Sequence, residues 1–177
     1  MRIAISGKSG CGNTTVSTLV AQSLGFPLIN FTFRNLAAER GIGFWEFCAL
    51  AEKDDNIDRE LDARQVAMAM AQTNCVLGSR LAIWMLKEAD LKVYLTAATE
   101  VRAERIFLRE GGSFIQRLEE TEKRDKHDSA RYQRIYGIDN SDHSLADLVI
   151  ETDNISPQEI SERIIAKVRT LQASSGF

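Results

Sequence analysis

The 177 residues are enough for one domain with a sizeable core, and 44% hydrophobic with 27% charged side chains is an ordinary globular balance. A net charge of −3 gives no electrostatic reason for DNA or RNA binding, and no apolar run approaches the length of a membrane span. Three scattered cysteines, Cys11, Cys48 and Cys75, form no CxxC pair, so neither a zinc site nor a disulfide framework is indicated; with no leader-like segment before the first strand, the cytoplasm is the expected setting.

In chain order, Arg2 to Ser6 reads as a short buried strand, followed by a glycine-rich turn over 7–12. Helical spacing of Val16, Leu19, Val20 and Leu24 predicts a helix from Thr14, closed by Gly25. A short strand over 27–30 and helices over 33–40, 44–53 and 57–72 follow. Cys75 to Gly78 reads as a strand, with a short helix over 80–87 and another strand over 91–96. A helix over 100–110 ends at Gly111-Gly112, and a long polar helix follows over 114–135. The last strand is expected over 146–151. Ser156, Pro157 and Glu159 then give a cap, a first-position proline and a capping-box acid for a final helix. The alternation predicts an α/β fold with a five-stranded parallel sheet covered by helices on both faces.

The turn carries the chemistry. Gly7-Lys8-Ser9-Gly10-Cys11-Gly12-Asn13-Thr14-Thr15 has P-loop spacing between a strand and a helix. Glycines let backbone N–H groups turn inward on phosphate oxygens, and the helix N-terminus favours an anion. Thr14 stands where a hydroxyl ligates Mg²⁺. The lysine expected after Gly12 is Asn13, short and neutral. Lys8 is the candidate replacement if it folds back over its loop; otherwise it is a solvated surface cation.

Arginines cluster downstream. Arg102, Arg105 and Arg109 share one helix face, and Arg117, Arg124 and Arg131 share another, with Asp128 between the last two. Such rows either grip phosphate through planar forked donors or form exposed ion pairs with nearby acids such as Glu120 and Asp125. Arg34 begins a helix and Arg80 follows a strand end, where open α/β sheets bind ligands. Asp58, Arg59, Asp62 and Arg64 make a further charged cluster, equally consistent with an exposed helix face.

Taken together, the loop, Phe33-Arg34-Asn35-Leu36-Ala37, the stretch 57–65, Arg80-Leu81-Ala82, the segment 101–110, Arg124 to Tyr132 and Ile135-Tyr136-Gly137-Ile138-Asp139 resemble the archaeal-type cytidylate kinases. The likeness runs from Met1 to about Ile165. It implies a P-loop kinase domain over 1–172, with a nucleoside-monophosphate segment at about 30–66, a lid at about 109–134 and a frayed tail at 173–177. It implies transfer of a phosphoryl group from ATP to CMP or dCMP with Mg²⁺, by a monomer by default. By resemblance, Gly7 to Thr15 hold ATP, with Thr14 on the metal. Arg34, Asp62, Arg80, Arg124, Asp128 and Arg131 bind the acceptor. Arg109, Arg124 and Arg131 assist transfer, and Lys8 joins them on the reading of the loop given above rather than by resemblance. Two departures stand out: Asn13, and Gly78-Ser79-Arg80 where the family more often has Glu-Gly-Arg. They keep two alternatives open, a kinase for another nucleotide or small metabolite, and a nucleotide binder with impaired catalysis.

Overall fold

The computed structural model describes residues 1–174. Its elements are β1 (Arg2–Gly7), α1 (Asn13–Leu24), β2 (Leu28–Ile29), α2 (Phe33–Glu39), α3 (Phe44–Ala51), α4 (Asp55–Met70), β3 (Cys75–Gly78), α5 (Ala82–Met85), β4 (Leu91–Thr96), α6 (Thr99–Glu110), α7 (Phe114–Tyr136), β5 (Leu148–Glu151) and α8 (Pro157–Ser174). The five strands form one sheet in the order β2-β3-β1-β4-β5. Every pairing is parallel, with Ile3 opposite Val76 on one side and Leu91 on the other.

β1 lies in the middle, so both of its faces are covered, and Ile3, Ala4 and Ile5 run apolar without alternation. Ile3 and Ile5 point to one face, where α1 and α8 supply Val16, Val20, Ile160, Ile164 and Val168. Ala4 points to the other, among Leu77, Ile83, Leu86 and Tyr94. A separate cluster of Phe31, Leu36, Phe47, Ala51 and Ile57 holds α2, α3 and α4 together as a satellite beside the sheet. Each such fully buried side chain contributes roughly 1.5–3 kcal/mol by leaving water.

The last helix starts as the sequence predicts. Ser156 Oγ accepts from the Glu159 N–H at 3.2 Å, while Glu159 Oε2 accepts from the Ser156 N–H at 2.9 Å. α4 begins at Asp55 rather than at the expected 57, because Asp54 caps it by accepting from the Asn56 N–H at 3.0 Å, and it ends at Met70 rather than 72. α5 is only one turn, shorter than the 80–87 expected, because Leu81 and Leu86 already sit outside helical backbone geometry. α8 continues through Ala173 and Ser174, where a frayed end is expected; the rest of that tail, 175–177, lies outside the described residues.

Candidate phosphate loop and acceptor cleft

β1 delivers Gly7 to the carboxyl edge of the sheet, and α1 begins six residues later. Between them the Cys11 N–H donates to the Lys8 carbonyl at 3.1 Å, closing a tight turn. Gly10 has a φ of +86°, and a Cβ there would lie 2.8 Å from Arg102 Cβ, so only glycine lets the loop rest against α6. The loop is braced from outside. Buried Arg102 donates from Nη1 to the Ser9 carbonyl at 3.1 Å, and Arg105 reaches the Gly10 carbonyl at 3.4 Å. The N–H groups of Ser9, Gly10 and Gly12 have no acceptor among the described residues, which leaves them for an anion at the start of α1.

Asn13 does not reach outward. Its Nδ2 donates to the Gly7 carbonyl at 2.7 Å, and its buried Oδ1 has no partner among the described residues. The side chain at the lysine position is therefore spent on closing the loop. Lys8 lines the cleft but leans on α7, with Nζ 3.6 Å from Asp125 Oδ2. Asp125 also accepts both Arg102 terminal nitrogens, at 2.9 and 2.6 Å. Next to it, Arg124 Nη1 donates to Ser9 Oγ at 3.2 Å.

From the loop, a cleft of about 710 Å³ runs along the strand ends to α2, α3 and α4. Of the residues singled out in the sequence, Lys8 to Thr15, Arg34, Asp58, Asp62, Arg80, Arg105, Arg109 and Arg131 line it. Gly7, Arg124 and Asp128 do not. Asp128, which is buried, stands behind Arg80 and accepts from its Nη1 at 2.7 Å. Arg131 makes a two-pronged pair with Asp58, 2.9 Å on the Nε side. Arg34 lies over the Phe44 ring, 3.9 Å from its centroid.

Electrostatics divide the cleft. Its loop end carries Lys8, Arg80, Arg105 and Arg109, while its far end holds two carboxylates, Asp58 and Asp62. Burial pushes the Asp62 carboxyl up to about 6; the Tyr136 hydroxyl bonded to it and Arg131 pull down, and Asp58 pushes the same way as burial. Burial likewise raises Asp58 despite its arginine, and it raises the Cys11 thiol. No group of three or more His, Cys, Asp or Glu among the described residues could cage a metal. The exposed Thr14 hydroxyl at the loop suits Mg²⁺, which needs one or two protein oxygens and takes the rest from phosphates and water.

The sequence reading passed over several lining residues. Phe31, Phe33 and Phe44 all line the cleft, Phe31 and Phe33 as part of the satellite cluster. Ile155, Pro157 and Ile160 read only as a helix start, yet they wall the loop end. Gln65 sits one turn beyond Asp62, a spacing that was visible, but no sequence rule marks a glutamine as facing a ligand.

Comparison with known proteins bears on the fold and the family. The fold is similar to that of a shikimate kinase from Bacteroides thetaiotaomicron, with a TM-score of 0.62, 14% identity, and 96% of this chain and 98% of that chain covered. The sequence is 51% identical over 168 residues to cytidylate kinase 2 of Borreliella afzelii (strain PKo), covering 93% of this chain and 94% of the relative. It is 39% identical over 170 residues to a cytidylate kinase of Archaeoglobus fulgidus, covering 95% and 94%. Residues 2–154 match the model of one family, and with the phosphate loop and arginine-lined cleft in place the chain belongs to the cytidylate kinase-like family.

Proposed function

We propose that this protein transfers the γ-phosphoryl group of ATP to CMP or dCMP, giving ADP and CDP or dCDP. The observation that carries this reading is the continuous cleft, which joins a phosphate loop to an acceptor pocket bearing Arg34, Arg80 and Arg131. An oxygen of the acceptor phosphate attacks the γ-phosphorus, and the bond to the β–γ bridging oxygen breaks, with ADP leaving. Such a transfer needs positioning and charge more than covalent help from the protein.

The chain's own groups divide the work. The loop N–H groups hold the donor phosphates, with Arg105 and Arg109 alongside. Arg34, Arg80 and Arg131 hold the acceptor phosphate, and Asp128 keeps Arg80 extended toward it. Arg124 ties α7 to the loop at Ser9, so that α7 serves as the lid that excludes water. Lys8 leaves Asp125 to supply the charge that Asn13 lacks. Thr14 would hold Mg²⁺, which when bound would offset charge on the donor phosphates. All these groups come from one chain, so a monomer suffices, and three unpaired cysteines fit the cytoplasm.

A coupled ADP-release assay with ATP, Mg²⁺ and CMP, dCMP, UMP or AMP tests the reading. ADP should form fastest with CMP or dCMP; no ADP with any of them sinks it. The turned-back Asn13 favours one rival, a nucleotide binder without turnover. Calorimetry showing tight ATP and CMP binding alongside a silent assay would select that rival.

A further inference from the structure

At the acceptor end of the cleft, Phe31, Phe33, Phe44 and Leu61 contribute aromatic and apolar lining, with the guanidinium groups of Arg64, Arg131 and Arg34 over the Phe31, Phe33 and Phe44 rings in turn. Such a lining suits a planar ring. Two polar side chains on one face of α4, Asp62 and Gln65, break this apolar lining. Both oxygens of the neighbouring Asp58 are taken by Arg131. Asp62 is different. Its Oδ2 accepts from the Tyr136 hydroxyl at 2.6 Å, while its Oδ1 takes part in no hydrogen bond among the described residues, and the residue lines the cleft. Buried Gln65 donates from Nε2 to the Phe31 carbonyl at 2.6 Å. That bond fixes the amide and leaves its second hydrogen to spare.

We propose that Asp62 and Gln65 read the edge of the acceptor base, with Asp62 Oδ1 accepting from the exocyclic amino group of cytosine and Gln65 Nε2 donating to the ring nitrogen beside it. This rests on the nucleotide-kinase reading above. Uracil reverses both groups: its carbonyl oxygen would meet a carboxylate, and its N–H would meet another N–H. Each reversal leaves a desolvated polar group unpaired, and together they amount to discrimination on the order of 10²-fold. Asp62 and Gln65 are therefore specificity residues for a 4-amino pyrimidine over a 4-oxo one.

The test compares kcat/KM for CMP and UMP in the natural protein and in Asp62→Asn. The natural protein should favour CMP by about 10²-fold. In the variant the asparagine amide can donate to the uracil carbonyl. The preference should shrink to within about 10-fold, mainly through KM. No preference in the natural protein, or an equal loss for both nucleotides in the variant, overturns the assignment and leaves phosphoryl transfer standing. A natural protein that phosphorylates no monophosphate overturns both.

A second measurement needs no variant. The CMP-to-UMP ratio is followed from pH 8 to pH 5. Tyr136 and Arg131 from α7, with Asp58 on α4 itself, are the charged and titratable groups that act on Asp62. The phosphates of CMP and UMP titrate alike, so the ratio cancels them. As the Asp62 carboxyl takes up its proton near pH 6 the ratio should fall, and a flat ratio overturns the assignment.

Discussion

Asp62 is held in the protein at a cost. Raising a carboxyl from its ordinary 3.8 to about 6 means that the folded state binds a proton the unfolded chain has already lost. Stability contributed by that proton is full below pH 3.8 and disappears as the pH climbs through 6, a loss of about 3 kcal/mol by neutral pH. Asp62→Asn should therefore unfold at higher denaturant than the natural protein at pH 7.5, and the difference should vanish near pH 4. A variant that is more stable but less selective is the signature of a group kept for binding. Equal or lower stability at pH 7.5 would argue that the Tyr136 contact outweighs burial. Lys8 poses the opposite test. Lys8→Ala should lower kcat by about 10²-fold or more if the lysine meets the transferring group. It should leave the fold intact, because the pair with Asp125 at 3.6 Å is only partly buried. Full activity in that variant would remove Lys8 from the mechanism.

Among the elements, α7 does the most to organise the site. Its 23 residues span about 34 Å, and one side meets every part of the cleft in turn. Arg124 and Asp125 touch the phosphate loop and its brace, Asp128 holds Arg80, and Arg131, Arg134 and Tyr136 fasten onto Asp58, Asp55 and Asp62 of α4. These contacts are not of equal weight. Arg102 is 2% exposed, and Asp125 is its carboxylate partner among the described residues, so Asp125→Ala strands a buried cation. That should cost about 3–5 kcal/mol in chemical denaturation. The Arg134–Asp55 pair is exposed, and Arg134→Ala should cost at most about 1 kcal/mol. Comparable losses in the two variants would mean that Arg102 finds another partner or water. The seven-residue spacing of Arg117, Arg124 and Arg131 makes the polar stripe of α7 legible in the sequence. What each residue meets is not legible, because Asp125 looks like one more acid in an exposed ion-pair helix until α6 is packed beside it.

For the molecule as a whole, the phosphate loop, the strand–helix alternation and the order of the elements were readable because each has a local cause. Glycines, caps and apolar runs act within a few residues. The joining of the loop to the α2–α4 segment was not, since Phe31, Phe33 and Phe44 line the cleft only once that segment docks beside the sheet. Joining the two halves has a measurable result. A dinucleoside oligophosphate that links adenosine to cytidine should bind about 10²–10⁴-fold tighter than ATP, because the second half binds at high effective concentration. An affinity no better than that of ATP would show that the two ends do not fill together. The strand order β2-β3-β1-β4-β5 bears on how such a chain is made. On a ribosome, the strand that ends up in the middle emerges before the other four. Its neighbours, from Cys75 and Leu91 onward, follow only after the whole α2–α4 segment has left the exit tunnel. Until then Ile3 and Ile5 have no sheet to join, so the nascent chain carries a sticky, unpaired stretch of the kind that chaperones hold, and its last-made strands decide when the nucleotide site comes into being.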